Sequence, residues 1–172
     1  MPIRSRQGVD AVFRGDYRQI GVASVMIATD KSDPLIPPPS AHRAAVPDGE
    51  AFIWEPYPGI VLQKSRGVMS LPLAHCIVDF YRPLLKPGVQ LTTFVDLEQL
   101  TYYTREAREC LTEFSLAQPV AIKVLHFLLS SKFVALGLGV LRHDIGDERL
   151  RVYSDRGSFL QSYANAVRQF KG

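Results

Sequence analysis

The residues able to do metal, nucleophilic or nucleotide chemistry are four histidines, two cysteines, a pair of glycines and a short acidic cluster. His42, His75, His126 and His143 stand at wide, unrelated spacings with no i, i+4 pair, so no helix face offers one metal ion two imidazoles, and no metal is expected. Gly137 and Gly139 in "GLGVLR" lack the third glycine of a dinucleotide fingerprint, and no G-x-x-x-x-G-K stretch exists to cradle phosphates. Those glycines are better suited to letting a helix pack closely on a sheet. Asp144, Asp147 and Glu148 surround Gly146 in "RHDIGDER" but fall short of a calcium loop in number and spacing, which leaves a solvated turn. No convergent catalytic set can be assembled, so a non-enzymatic protein without a cofactor is expected.

Two stretches do carry polar groups where ligands and partners are recognised. In "SSK", Ser130, Ser131 and Lys132 follow an apolar strand and open a helix, a place where anions bind in open α/β sheets. The same residues also read as a serine N-cap beside a solvated lysine. In "FVDLEQLTYYTREAREC", an apolar strand ends near Asp96 and a loop "EQLTYY" holds Thr101, Tyr102 and Tyr103 before Thr104 and Arg105 begin a helix. A helix N-terminus presents unpaired N–H groups and a positive dipole end. A hydroxyl at Thr104 would cap it, and a phosphate there would add nearly two negative charges. Asp96 at a strand end can fix the following loop by accepting backbone N–H bonds. Of the adjacent tyrosines, one is expected to be exposed, offering large contact area at low entropic cost; the alternative is that both pack against neighbouring helices.

The elements that must position these residues follow from period and punctuation. "DKSDPLIPPPSAHRAAVPDGE", residues 30–50, reads as an extended proline-rich linker, which places residues 1–48 in an N-terminal extension and 49–172 in the main domain. Within the extension, residues 11–30 could form a hairpin turning near Gly15 and Asp16. "AFIWEPYPGIVLQKSR" supplies two strands divided at Pro58 and Gly59. Ser70 stands at an N-cap before a helix with Leu73, Ala74, Ile77, Val78, Tyr81, Leu84 and Leu85 inward, stopped at Pro87 and Gly88. "VQLTTFVDL" is a strand, and "TREARECLTEFSLAQ" a helix facing inward with Ala107, Cys110, Leu111 and Phe114. "VAIKVLHFLL" fits a central strand buried on both faces. Residues 130–146 read as helix into loop, "LRVYS" as a last strand, and "DRGSFLQSYANAVRQF" as a closing helix with Phe159, Leu160, Tyr163, Ala164 and Val167 inward. The order β-β-α-β-α-β-α-β-α specifies an α/β domain with a mixed sheet.

Composition fits one ordinary domain plus an extension. The chain has 172 residues, 47% hydrophobic and 22% charged. Its 20 basic and 17 acidic residues are scattered and nearly balanced, which argues against a nucleic-acid partner. No apolar run approaches the ~20 residues of a membrane span, and the charged N-terminus shows no export signal. Cys76 and Cys110, without C-x-x-C spacing, read as reduced core thiols of a cytoplasmic protein.

From about residue 50 onward, the element order and the stretches "TFVDLEQLTYYTREAR", "KVLHFLLSSKFVALGLGV" and "LRVYSDRGSFLQSYANAV" resemble STAS-type domains, in particular anti-sigma-factor antagonist-like and STAS-SEC14-like bacterial proteins. The resemblance implies a mixed sheet of about four to five strands covered by about four helices. It also implies a regulatory or scaffold module that binds a protein partner through Asp96, Thr101, Tyr102, Tyr103, Thr104 and Arg105. In such domains an Asp-Ser pair opens the helix after this strand, and the serine is phosphorylated. Thr104 and Arg105 stand there instead, making Thr104 the candidate phosphosite. The alternative is a carrier or sensor of a small lipophilic or anionic ligand near Ser130, Ser131 and Lys132.

Overall fold

The computed structural model describes residues 33–130, 146 and 148–171. They form a six-stranded sheet in the order β1-β2-β3-β4-β5-β6. The strands are β1 (His42–Val46), β2 (Gly49–Tyr57), β3 (Ile60–Met69), β4 (Leu91–Tyr103), β5 (Ile122–Leu128) and β6 (Leu150–Tyr153). The first three strands are antiparallel, and β3 to β6 run parallel. Helices α1 (Leu71–Tyr81), α2 (Arg105–Leu116) and α3 (Arg156–Lys171), with one 3-10 turn at Arg82–Leu84 after α1, complete the described elements. The mixed α/β class matches the expectation, with one more strand than foreseen. The expected helix over residues 130–146 and the hairpin near Gly15 and Asp16 lie outside the described residues.

Parallel neighbours need a crossover, and α1 and α2 supply it between β3 and β4 and between β4 and β5. Their apolar stripes meet one face of the sheet, where Leu73, Ala74 and Ile77 of α1 and Ala107 of α2 join Val61, Val95 and Leu125 in the core. The other face packs against α3, with Phe159 wholly buried against Phe94, Leu62 and Leu128. Strand β5, hydrogen-bonded on both edges, has both faces covered. Its near-continuous apolar sequence is the consequence. On α3 the inward set is shifted from the expected one: Ala164 is exposed, and Ala166 packs against the core in its place.

The proline-rich stretch is not a free linker. Residues 42–46 pair with β2 through a two-residue turn at Pro47 and Asp48, so a boundary at 48/49 would cut the first hairpin. Leu35 is wholly buried with Trp54, Phe94 and Phe159. Two turns, closed by the Ile36 N–H on the Asp33 carbonyl at 3.0 Å and the Ala41 N–H on the Pro38 carbonyl at 2.9 Å, fold this stretch between Leu35 on the α3 face and β1 at the sheet edge. At the hairpin, Gly49 and Gly67 permit a close crossing with β3. A Cβ on Gly49 would lie 2.2 Å from the Val68 carbonyl oxygen, and Gly67 has φ +77°. Only glycine fits there without strain.

Candidate functional site

The expected loop from Glu98 to Tyr103 is strand, because β4 runs on to Tyr103 beside β3. The register explains how. Lys64 faces Asp96 but Arg66 faces Gln99, and Gly67 faces Leu100 but Val68 faces Tyr102, so β4 carries one extra residue at each of two bulges. Each bulge reverses which face a given parity of residue points to. Val95 and Leu97 point toward α1 and α2, as does Leu100 after the first bulge and Tyr103 after the second. Tyr102 consequently faces away, 60% exposed. The two tyrosines divide as the sequence suggested, one outward and one inward.

Around them the backbone is held firmly. Thr101 Oγ1 donates to the Gly67 carbonyl at 2.9 Å, and the Thr104 N–H donates to the Met69 carbonyl at 3.0 Å. Thr104 has extended dihedrals (φ −68°, ψ 154°), and its Oγ1 accepts from the Ala107 N–H at 3.2 Å, an N-cap on α2. Arg105 is exposed and paired with Glu109 at 2.7 Å one turn along. Burial pushes the Tyr103 hydroxyl well above its ordinary range, the nearby Arg108 charge opposing. Thr101, Tyr102, Thr104 and Arg105 thus share one end of the sheet, whereas Tyr103 belongs to the core.

Asp96 does not belong to that exposed group. It lies inside β4, 1% exposed on the α3 face, where its Oδ1 accepts the Glu98 N–H at 3.0 Å. Its Oδ2 lies 3.5 Å from Lys64 Nζ and 3.8 Å from Arg156 Nη1. Arg156, at the start of α3, also binds Glu98 at 2.7 Å and pairs with Asp33. Burial works against the Arg156 charge, but Asp33, Glu98 and Asp96 together raise its pKa. For Asp33, burial would raise the carboxyl; the Leu35 N–H and Arg156 prevail and lower it. This cluster fastens the segment before β1, the middle of β4 and the head of α3 to one another. Sequence reasoning missed it, since Asp33, Glu98 and Arg156 are far apart in the chain and no local signal joins them.

Of the other candidate set, Ser130 is described: its Oγ donates to the Glu98 carbonyl at 2.6 Å, continuing the β4–β5 seam where the ladder ends. Ser131 and Lys132 lie outside the described residues, as do His143, Asp144, Asp147, Gly137 and Gly139. Cys76 and Cys110 are free thiols on α1 and α2, and burial raises the Cys110 pKa. His126, absent from the candidate sites, sits in a polar chain under α3. Its Nδ1 lies 2.9 Å from the Tyr153 hydroxyl, which donates to Ser162 Oγ at 2.9 Å, and its ring stacks on Phe94 at 4.2 Å. Burial, with a smaller contribution from Arg151, pushes its pKa down to about 4. The imidazole is therefore neutral at pH 7. No described helix is long and apolar enough to cross a membrane.

No protein-family model and no curated protein matches the chain. Among solved structures it is similar to an uncharacterized protein of the DUF3478 family with a SpoIIAA-like fold from Shewanella loihica PV-4. That match has 10% identity and a TM-score of 0.49, and covers 71% of this chain and 90% of the other. It is also similar to an anti-sigma factor antagonist from Mycobacterium paratuberculosis, with 10% identity and a TM-score of 0.49 over 69% of this chain and 97% of that one.

Proposed function

We propose that the protein is a non-enzymatic regulatory or scaffold module that binds a protein partner through the β4–α2 junction, with Thr101, Tyr102, Thr104 and Arg105 at the contact. The observation that carries this reading is Tyr102: a large aromatic 60% exposed on a rigid strand end, directly before a helix N-terminus. A side chain fixed in this way loses little entropy on binding and offers both apolar area and a hydroxyl. Thr101 and Thr104 add no flexibility, since their hydroxyls already bind Gly67 and Ala107. Arg105 supplies an exposed cation whose Glu109 partner can be exchanged for a partner's carboxylate at little cost. Tyr103, packed in the core beside it, supports the face from within. Phosphorylation of Thr104 would replace a cap by a dianion in the middle of this face and so regulate binding.

The test is capture from the native cell with wild type and with Tyr102→Ser, followed by direct binding measurements on the purified pair. Loss of the captured protein in the variant, at unchanged stability, is the expected result. Tyr102→Ser is the informative change, because Tyr103→Ala would open the core and confound stability with binding.

A further inference from the structure

On its side of the sheet α3 packs on β5 and β6, and it leaves Arg43 of β1 and Arg66 of β3 more than half exposed. An open groove of about 420 Å³ lies beside Arg66, lined by Ile36, Pro37, Phe52, Lys64, Arg66 and Gln99. Its lining is of two kinds. Ile36, 64% exposed, Pro37 and the Phe52 ring are apolar, whereas Lys64 and Arg66 offer N–H donors and positive charge, and Gln99 an amide.

Arg66 is held in place and keeps charge to spare. Glu50, buried on β2, accepts from Arg43 Nε at 2.8 Å and also from Arg66 Nε. The Arg43 bond, opposed by burial and joined by Arg66, holds the Glu50 carboxyl below its ordinary range, so two arginines share one carboxylate and a net positive charge remains. Both guanidinium carbons lie 5.9 Å from the Phe52 ring centroid, which steadies them against an apolar surface. No other described residue accepts a hydrogen bond or an ion pair from either guanidinium, so the outer nitrogens of Arg66 are available to a ligand. Lys64 is taken by Asp96 at 3.5 Å, and Asp48 lines the adjoining cleft at the β1–β2 turn instead of this groove. One net charge suits a monoanion, and a guanidinium fork matches a carboxylate through paired N–H donors. We propose that the groove binds a small carboxylate bearing an apolar ring or branched chain, its carboxylate on the outer nitrogens of Arg66 and its apolar part on Phe52 and Ile36. A few convergent polar groups beside apolar walls are the usual composition of a small-molecule site. Tyr102, Thr104 and Ser130 do not line the groove, so the proposal stands apart from the partner-binding face.

Three probes separate the charged and apolar parts: phenylacetate, 2-phenylethanol as the ring without the charge, and acetate as the charge without the ring. In NMR titrations of the full chain, phenylacetate should shift the amides of Phe52, Lys64, Arg66 and Gln99 and bind about tenfold more tightly than either control, the yield of one charge-assisted contact. Arg66→Gln should abolish the preference for phenylacetate over 2-phenylethanol. Ile36→Ser, at an exposed position, should weaken phenylacetate several-fold and leave acetate unchanged. Should Arg66→Gln fail to fold, added salt decides in the wild type: it should weaken phenylacetate and spare 2-phenylethanol. The proposal is overturned if phenylacetate leaves those amides unmoved, if it binds no more tightly than the controls, if Arg66→Gln keeps the full preference, or if salt has no effect.

Discussion

The Thr104 hydroxyl accepts the Ala107 N–H at 3.2 Å and thereby closes the first turn of α2 directly behind the exposed Tyr102. Replacing Thr104 by Ala should cost about 1 kcal/mol, read as a lower denaturation midpoint at constant slope. Thr104→Asp should be within about 1 kcal/mol of wild type, because aspartate caps as well and its charge suits the helix N-terminus. If the face is charge-sensitive, Asp will weaken partner binding and Ala will not. Equal binding by both variants would leave Thr104 as a cap alone.

Leu35 makes a second prediction. It is wholly buried although it precedes β1 and lies in proline-rich sequence, so Leu35→Ala should destabilise by about 2–5 kcal/mol. A chain starting at Asp48 loses that side chain, the Asp33–Arg156 tie and β1 together, and should lose cooperative thermal unfolding. Unchanged melting of the shortened chain would show that these contacts add nothing.

Strand β5 separates its two faces. Phe127 points to the α1–α2 core and is 9% exposed; Phe127→Asp should abolish folding by burying an unpaired charge. Val124 points to the other face near the strand's start and is only half-buried, so Val124→Asp should cost less and leave a folded but weakened protein. Circular dichroism with urea titration distinguishes the two outcomes.

His126 predicts the pH dependence. Its pKa is about 4 in the folded chain against the ordinary 6.5, so the unfolded chain takes up a proton first as pH falls. Stability from this group is full above pH 6.5 and declines between 6.5 and 4, by on the order of 3 kcal/mol in total. Asp33, whose carboxyl is lowered, adds a further loss below its ordinary value of 3.8. His126→Phe should flatten the curve between pH 4 and 6.5 and leave the more acidic limb. An unchanged slope in the variant would assign the titration to other groups.

What was legible in the sequence was whatever local period and punctuation encode. The helices from Leu71, Arg105 and Arg156, the Pro58–Gly59 turn, the cap at Thr104 and the outward-inward split of the two tyrosines all follow from neighbouring residues. Strand β1 was hidden because prolines dominate the composition around it, while the pairing that makes it a strand comes from β2. The extension of β4 through "EQLTYY" was hidden for a related reason. Its two bulges break the alternation that identifies a strand, and both are fixed by the register against β3. The Asp33–Arg156–Glu98 cluster depends on contacts between distant segments, for which one sequence holds no local signal.

The measurement that bears most directly on the partner-binding face compares affinity for the captured partner among wild type, Tyr102→Ser and a control, Val120→Ser. Val120 is also apolar and exposed, at 74%, but lies just before β5, at the opposite end of the parallel strands. Both changes should leave stability within about 0.5 kcal/mol. In isothermal titration calorimetry, Tyr102→Ser should weaken binding by about tenfold or more, as the loss of a central aromatic contact does, and Val120→Ser should bind as wild type. Full affinity in Tyr102→Ser would contradict the assignment of the β4–α2 junction as the binding face.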